Sequence, residues 1–340
     1  MKKLTSIIAT AVIAFCTSFS AVSADKEHYK FVMVSHIGSN DANMNWLTLS
    51  LKAFEERYPE VTTEYVSTNE FSIQKLIQLT EQVIATNPDG IAIPIVSAQA
   101  MEPVLKKAID KGIPVVAFNI PDGRDADKRI PYLTYVGGDE YLTGYKLAQY
   151  AIDQAKEGKI PQPTQVMCGV VDAAHEGLKA RCRGVADAMK TIGVNTDELF
   201  IGAEPAKARN TMQAYLVRNK KTNYIFAVTS WASPWAYSVA DDMGLDPAVD
   251  DKGMTIVTVD ASPVALEGIR TGKLLATNSQ GFWLQGYIPM EWLYWYKTQG
   301  LKPSSDILTG PVVVNKDNLD GWIKQVRMIF GDEYDKQNIW

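Results

Sequence analysis

Short runs of β-branched and apolar residues alternate with segments of helical periodicity along almost the whole 340-residue chain. This alternation constrains the fold most, because a repeated strand–helix–strand order builds parallel sheets covered by helices on both faces. Helical spacing is clearest over residues 73–85, 101–111, 141–155 and 178–192. The predicted strands are residues 31–35, 63–66, 90–95, 115–119, 133–136, 166–171, 199–202, 224–229, 255–260, 275–278 and 311–314. The sequence therefore predicts an α/β protein.

The number of predicted strands favours two lobes over one large domain. About eleven strands would be unusual in a single open twisted sheet, so two doubly wound parallel sheets are more economical. We predict a first lobe of residues 25–120 and 262–280, and a second lobe of residues 135–260 and 311–340. The chain would cross between the lobes near 120–134, 260–262 and 280–311, which makes a multi-strand hinge. Ligands of such sheets bind outside the carboxyl ends of the strands, so the loops there are where a site is expected.

The first 24 residues have the pattern of a secretory signal peptide. Lys2 and Lys3 precede an apolar run over residues 7–15, and the small-residue pattern of a cleavage site ends at Ala24. The apolar run is about half of the ~20 residues that a membrane-spanning helix needs. We therefore expect cleavage after Ala24 and export of a soluble mature chain to the periplasm.

Charge and missing motifs argue against several classes of function. The chain has 34 Lys and Arg residues against 39 Asp and Glu residues, a formal charge of −5, so we expect no nucleic-acid partner. No Gly-x-Gly-x-x-Gly follows the first strand, and neither a phosphate-binding loop nor a Gly-x-Ser-x-Gly motif occurs. A glycosidase using Asp260 and Glu176 stays an alternative, although Asp260 has no obvious partner placed across one bond. We expect a protein without enzyme activity and without a cofactor.

Two cysteines remain once the signal peptide is removed, and the whole chain has three histidines. Cys168 lies in a predicted strand and Cys182 on the following helix, so a disulfide between them is one option in an oxidising compartment. Two buried, inert thiols are the other. Two cysteines and three histidines do not form a convincing zinc site, so we expect no metal.

The loops after the predicted strands carry carboxylate, amide, guanidinium, imidazole and indole groups. Planar polar groups suit the hydroxyls of a sugar or polyol, and flat aromatic faces suit its C–H sides. The candidate binding residues are Trp46, Asn119, His175, Arg181, Thr229, Trp231, Asp260 and Gln280, together with Asn43, Asn45 and Glu176.

Structural roles are the alternative for several of these side chains. Asp260 could cap the helix that follows it, and Arg181 could form an ion pair with Glu176 or Asp187. The tryptophans could be core aromatics. We favour ligand contact, because a Val-rich strand directs Asp260 into the crevice and because Trp46 follows a polar loop.

Six short stretches occur in a characteristic order: NPDGIAI at 87–93, KGIPVVAFN at 111–119, YVGGDEYLTG at 135–144, VTVD at 257–260, ATNSQ at 276–280 and GPVVVNK at 310–316. With them the chain resembles, over residues 29–322, the periplasmic sugar-binding proteins of ABC importers related to ribose- and galactose-binding proteins. The resemblance implies the type I periplasmic binding protein fold and capture of a sugar or polyol by hinge closure. It also implies a monomer that delivers its ligand to a membrane permease and its ATPase. The alternative is a sensor that presents the bound sugar to a chemoreceptor or sensor kinase.

The resemblance assigns roles to individual residues. Trp46 has the position of an aromatic that stacks on the sugar. His175 and Arg181 have the spacing of a histidine and a ligand-binding arginine in the galactose type. Asp260 and Gln280 match an aspartate and a glutamine that reach the ligand.

Two positions depart from the ribose-binding pattern. Asn119-Ile120 stands where ribose binders have an aspartate–arginine pair, and Thr229, just before Trp231, stands where they have asparagine. The departures favour another pentose, a hexose, a cyclitol or a sugar alcohol over ribose.

Overall fold

The computed structural model describes residues 28–38, 41, 43–68, 71–245, 253–332 and 334, and the predicted signal peptide lies outside them. The described strands are β1 (Tyr29–Ser35), β2 (Val61–Ser67), β3 (Gly90–Ile93), β4 (Val115–Phe118), β5 (Tyr135–Gly138), β6 (Val166–Val170), β7 (Thr196–Phe200), β8 (Tyr224–Ala227), β9 (Thr255–Thr258), β10 (Ala276–Ser279), β11 (Ile307–Gly310) and β12 (Val312–Asn315). The described helices are α1 (Asn43–Arg57), α2 (Ile73–Ala85), α3 (Ala98–Asp110), α4 (Glu140–Lys156), α5 (Glu176–Lys190), α6 (Pro205–Arg218), α7 (Ser233–Asp242), α8 (Pro263–Arg270), α9 (Phe282–Gln299) and α10 (Leu319–Phe330).

The strands form two six-stranded sheets with the same internal order. The first sheet runs β2–β1–β3–β4–β5–β11 and the second runs β7–β6–β8–β9–β10–β12. The pairing of β10 with β12 is antiparallel, and the other pairings of the described strands are parallel. Each strand of one sheet thus has a counterpart in the other, so that β4 corresponds to β9. The predicted fold class, two doubly wound parallel-sheet lobes, is confirmed.

Helices cover the sheets as the strand–helix alternation requires. Helices α1, α2, α3 and α9 pack in the first lobe, and α4 to α8 with α10 pack in the second. The inner strands β3, β4, β8 and β9 are buried at every position, as expected for parallel strands covered on both faces. Among the described helices, none combines the length and the apolarity that crossing a bilayer would take.

The lobe borders differ from the predicted ones at two places. Strand β5 pairs with β4, which puts residues 135–138 in the first lobe. Strand β10 pairs with β9, and α8 packs against β10, which puts the segment predicted for the first lobe, 262–280, in the second. The predicted crossings at 120–134 and 260–262 are therefore loops within one lobe. The chain instead crosses after β5, between β10 and α9, and between β11 and β12. Local sequence patterns identify a strand but not its neighbours in a sheet. The sheet to which β5 or β10 belongs could therefore not be predicted from the sequence.

Two of the crossing segments touch each other backbone to backbone. Gly281 has a φ of 71°, and a side chain there would run into the carbonyl oxygen of Thr309. A side chain at Gly310 would likewise meet the carbonyl oxygen of Ser279. The Thr309 hydroxyl donates a hydrogen bond to the carbonyl of Gln280 over 2.5 Å. Glycine is needed at both places so that the connections between the lobes can pass closely.

Cys168 of β6 and Cys182 of α5 form a disulfide, with their Cα atoms 5.7 Å apart. Of the two options that the sequence left open, the bridge is the one the structure has. Both cysteines are buried, and the bridge ties α5 to the strand that precedes it. This helix carries His175 as its N-cap and Arg181 in its second turn, so the bridge fixes the element that presents both side chains.

We expect the double substitution Cys168→Ala and Cys182→Ala to lower the free energy of unfolding by about 3 kcal/mol, the value for a closed loop of this size. Urea unfolding with and without a reducing agent measures the effect. The native chain should lose a similar amount on reduction, while the double variant should be insensitive to the reductant. Equal stability of the native chain under both conditions would show that the bridge contributes nothing.

Candidate functional site

A cavity of about 480 Å³ lies where the carboxyl ends of the strands of the two sheets face each other. Its walls come from the loops after β1, β4, β6, β8, β9 and β10, as predicted for two opposed doubly wound lobes. The predicted residues that line it are Asn43, Asn119, His175, Arg181, Thr229, Trp231, Asp260 and Gln280. Lining residues that were not predicted include His36, Asp41, Thr68, Phe71, Asp172, Trp235 and Phe282.

Three predicted residues do not line the cavity. The side chain of Trp46 is 7% exposed and packs edge-on against Phe330 of α10, with ring centroids 5.6 Å apart. It belongs to the buried stripe of α1 together with Asn43 and Ser50, because residues three or four apart share a face of a helix. Asn45 is partly buried and Glu176 is exposed, and both lie outside the cavity wall. The structure thus places Trp46 in the core.

Asp260 and Asn119 follow the corresponding strands β9 and β4, and both are buried. Both have a left-handed backbone, with φ of 81° and 61°. Among residues with a side chain, asparagine and aspartate tolerate this conformation best. The residue type therefore fits the turn, and the turn places a polar side chain from each lobe at the cavity.

The carboxylate of Asp260 is held by neighbours from both lobes. Its Oδ1 accepts a hydrogen bond from Nε2 of Gln280, and its Oδ2 accepts one from Nδ2 of Asn43 over 3.4 Å. Its backbone N–H donates to Oδ1 of Asn278 over 3.2 Å. Burial raises the pKa of Asp260, and the charge of Arg181 opposes that shift. The side chain does not cap α8, because Ser262 is the N-cap and accepts from the N–H of Ala265.

Arg181 is 4% exposed, and Glu140 of α4 is its buried partner. The guanidinium Nε donates to Oε2 of Glu140, and Nη1 donates to the carbonyl of Val228 over 2.7 Å. The surface partners considered from the sequence do not take this role: Glu176 is exposed, and Asp187 accepts from the Tyr141 hydroxyl over 3.0 Å.

Glycines set the distance between the two helices that carry this ion pair. A methyl group on Gly144 of α4 would overlap the carbonyl oxygen of Arg181, and one on Gly184 of α5 would overlap the carbonyl of Tyr141. The two backbones are therefore in direct contact, which fixes Glu140 against Arg181.

Asp41 is a half-buried carboxylate of the first lobe that was not among the predicted binding residues. Its Oδ1 accepts the backbone N–H of Asn43 over 2.8 Å, at the start of α1. Burial raises the pKa of Asp41 to about 7; the Asn43 N–H opposes this shift, and the charge of Asp260 adds to it. Carboxylates from the two lobes thus face one cavity.

Aromatic rings touch across the lobes on another side of the cavity. His36 follows β1, Phe71 precedes α2, and His175 is the N-cap of α5. The ring of His175 stacks on Phe71 at a centroid distance of 5.2 Å and meets the ring of His36 edge-on at 5.6 Å. The Nδ1 of His175 accepts the N–H of Leu178 over 3.3 Å, so this nitrogen carries no proton. The packing of His175 against Phe71 and His36 therefore involves a neutral His175 ring.

Electrostatics supports the neutral form of both histidines. Burial, and then the charge of Arg181, lowers the pKa of His36 to about 4. Burial also lowers the pKa of His175 well below its usual value, with smaller contributions from His36 and Arg181. Protonation of either histidine therefore opposes closure of the lobes around these rings.

We expect ligand affinity to fall with acidification through His36. Because the folded-state pKa is lowered from 6.5, closure is favoured above pH 6.5 and is opposed progressively as the pH falls towards 4. Affinity of the native chain relative to His36→Gln should drop over this range by at most about two orders of magnitude. Calorimetric titrations at several pH values measure it, and the comparison cancels the opposite contribution of Asp41. Parallel pH profiles for the two proteins would refute the role of His36.

Several polar atoms of the cavity wall have no hydrogen-bond partner within the described part of the chain. They are Nδ1 of His36, Oδ1 of Asn43, Oγ1 of Thr68 and Oε1 of Gln280. Buried polar groups are normally satisfied, and a hydroxyl can both donate and accept. Beside them, Trp231 and Trp235 meet edge-on at a centroid distance of 5.3 Å and supply apolar surface. No group of three or more His, Cys, Asp or Glu among the described residues is arranged to hold a metal ion.

Known proteins resemble this chain in sequence or in fold. The xylose/arabinose-binding protein XylF of Sulfolobus acidocaldarius is 22% identical over 249 residues, 72% of this chain and 60% of that protein. The D-galactose/methyl-galactoside binding periplasmic protein MglB of Haemophilus influenzae is 26% identical over 293 residues, 82% of this chain and 83% of that protein. A carbohydrate transporter from Acidothermus cellulolyticus, solved with myo-inositol, aligns with a TM-score of 0.75 and 24% identity over 89% of this chain and 99% of its own.

The family model described as periplasmic binding protein domain matches residues 34–300, most of the chain. The matched region contains strands β2 to β10, from both sheets, and the described residues that line the cavity. The resemblance inferred from the sequence is confirmed. This chain is a member of the periplasmic binding protein family.

Proposed function

We propose that this protein is the substrate-binding component of an ABC importer and that it captures a sugar or polyol in the interlobe cavity. The observation that carries the proposal is the composition of the wall: charged and amide groups from both lobes, unpartnered hydrogen-bonding atoms, and indole faces around one cavity. Relatives named as binding xylose, arabinose or galactose support the ligand class.

The mechanism follows from ligand contacts in both lobes. The ligand enters the open form, and groups such as Arg181 and Asp260 of the second lobe and Asn119 of the first bind it together. A ligand shifts the balance between open and closed shapes only by its differential affinity for them, and only the closed shape offers all contacts at once. A micromolar ligand needs about −8 kcal/mol, which three or four hydrogen bonds to charged groups at about 1.5–3 kcal/mol each can supply after ordering costs.

Export and delivery complete the proposal. Residues 1–24 would direct the chain to the periplasm, where the closed monomer would dock on a membrane permease whose ATPase drives import. The protein catalyses no reaction of the ligand in this cycle, because the ligand must be released in the same chemical form in which it was bound. Uptake measured in a strain with and without the gene separates import from a purely sensory role.

The direct test is a thermal-shift screen of the refolded, ligand-free protein against pentoses, hexoses, inositols and alditols. A ligand present at 100 times its dissociation constant stabilises the folded state by about 2.7 kcal/mol. This should raise the melting temperature by several degrees. A screen in which no hydroxylated compound changes the melting temperature would contradict the proposal.

A further inference from the structure

We propose that Glu140 is a positioning residue that makes the cavity selective for uncharged polyols and against the corresponding sugar acids. It acts through Arg181, whose charge it balances from behind the cavity wall. The proposal rests on the proposed function, since it concerns which hydroxylated compounds the same cavity accepts.

The cavity wall is rich in carboxylates. Asp41, Asp172 and Asp260 line it, and among its described lining residues Arg181 is the one lysine or arginine side chain. The two cavity histidines add no positive charge: His175 accepts a backbone N–H through Nδ1, and burial lowers the pKa of His36 to about 4. A ligand carboxylate would therefore meet carboxyl groups, of which Asp41 is partly protonated at neutral pH because its pKa is raised to about 7, and one cation.

The guanidinium of Arg181, this one cation, already has an anionic partner. Arg181 donates to Glu140 and to the carbonyl of Val228. Glu140 is 5% exposed, so its charge is not screened by bulk water, and its Oε1 accepts no hydrogen bond from the described residues. The remaining guanidinium N–H groups can still donate to a neutral hydroxyl, but the positive charge is balanced.

The pair is also held rigidly. Gly144 and Gly184 bring the backbones of α4 and α5 into contact, so the main chain at Arg181 and at Glu140 is held at a short, constant distance. A buried anion needs a partner of opposite charge, and an incoming carboxylate could obtain one only by competing with Glu140. An uncharged polyol makes no such demand.

The test compares matched pairs that differ in one carboxylate: D-galactose with D-galacturonate, D-glucose with D-glucuronate, and D-arabinitol with D-arabinonate. Dissociation constants are measured by calorimetry at neutral pH and low salt for the native protein, E140Q and E140D. The native protein should prefer the neutral member of a bound pair by at least tenfold. E140Q removes one buried negative charge and should shift this ratio towards the acid by about tenfold, while E140D keeps the charge and the native preference.

The ratio separates a charge effect from damage to the fold, because general damage weakens both members of a pair alike. E157Q, which removes an exposed carboxylate at the end of α4, should leave the ratio unchanged. A folded E140Q with the native ratio overturns the proposal. Native protein that binds an acid as tightly as the corresponding neutral compound also overturns the proposal. This measurement does not require E140Q to fold. Native protein that binds neither a member of any pair nor another hydroxylated compound of the screen contradicts the proposed function itself.

Discussion

Asp260→Asn should weaken ligand binding by about 100-fold and leave the fold intact. The loss follows from removing a buried charged acceptor, which is worth about 1.5–3 kcal/mol per hydrogen bond. The fold should survive, because asparagine keeps the shape, tolerates the φ of 81°, and has no ionised form to be disfavoured by the burial that raises the pKa of the Asp260 carboxyl. Calorimetry with the best ligand of the screen measures the loss, and thermal unfolding checks the fold.

A matched control is Asp153→Asn, which removes an exposed carboxylate on the solvent side of α4. It should bind the ligand as the native chain does. An Asp260→Asn protein with native affinity would remove Asp260 from the binding site.

Gly144→Ala should lower both stability and affinity. Its methyl group would overlap the carbonyl oxygen of Arg181, so α4 and α5 must separate. Overpacking of this kind costs about 1–3 kcal/mol, which outweighs the ~1 kcal/mol that alanine gains over glycine inside a helix. Because Arg181 moves with α5, we also expect at least a tenfold loss of affinity. Urea unfolding and calorimetry measure the two effects.

Gly321 in α10 provides the comparison, since a methyl group there would meet nothing within 4 Å. Gly321→Ala should be neutral or more stable by up to about 1 kcal/mol, and its ligand affinity should be native. If the two alanine variants had the same stability, the close contact between α4 and α5 would not matter.

The position of the cavity could be predicted from the sequence because it follows from the strand–helix alternation alone. Residues such as Asn119, Thr229 and Asp260 come directly after strands, and parallel strands bring their carboxyl ends to one edge. Each of these strands has a strong local sequence pattern, so the residues that follow it could be predicted to lie at the site. The disulfide had a similar signal, although the sequence could not decide between the bridge and free thiols.

Other features had no local signal. The pairing of β5 and β10 depends on tertiary neighbours, and β11 is a four-residue edge strand, too short for its alternation to be recognised. The prediction for Trp46 was wrong because a polar loop precedes it, although Trp46, Ser50 and Phe54 are four residues apart and form one buried stripe of α1.

Two residues that line the cavity, His36 and Asp41, were not predicted because their selection depends on tertiary contacts. His36 and Asp41 lie in the loop after β1, whose position signalled a site. Choosing them within that loop would have required knowing how it folds against His175 of the other lobe.

Small-angle X-ray scattering with and without the best ligand of the screen tests the central claim most directly. If two lobes trap the ligand by turning about the connections at residues 279–282 and 310–312, saturation should give a smaller radius of gyration than the ligand-free protein has. Identical scattering curves at saturating ligand would contradict capture by closure.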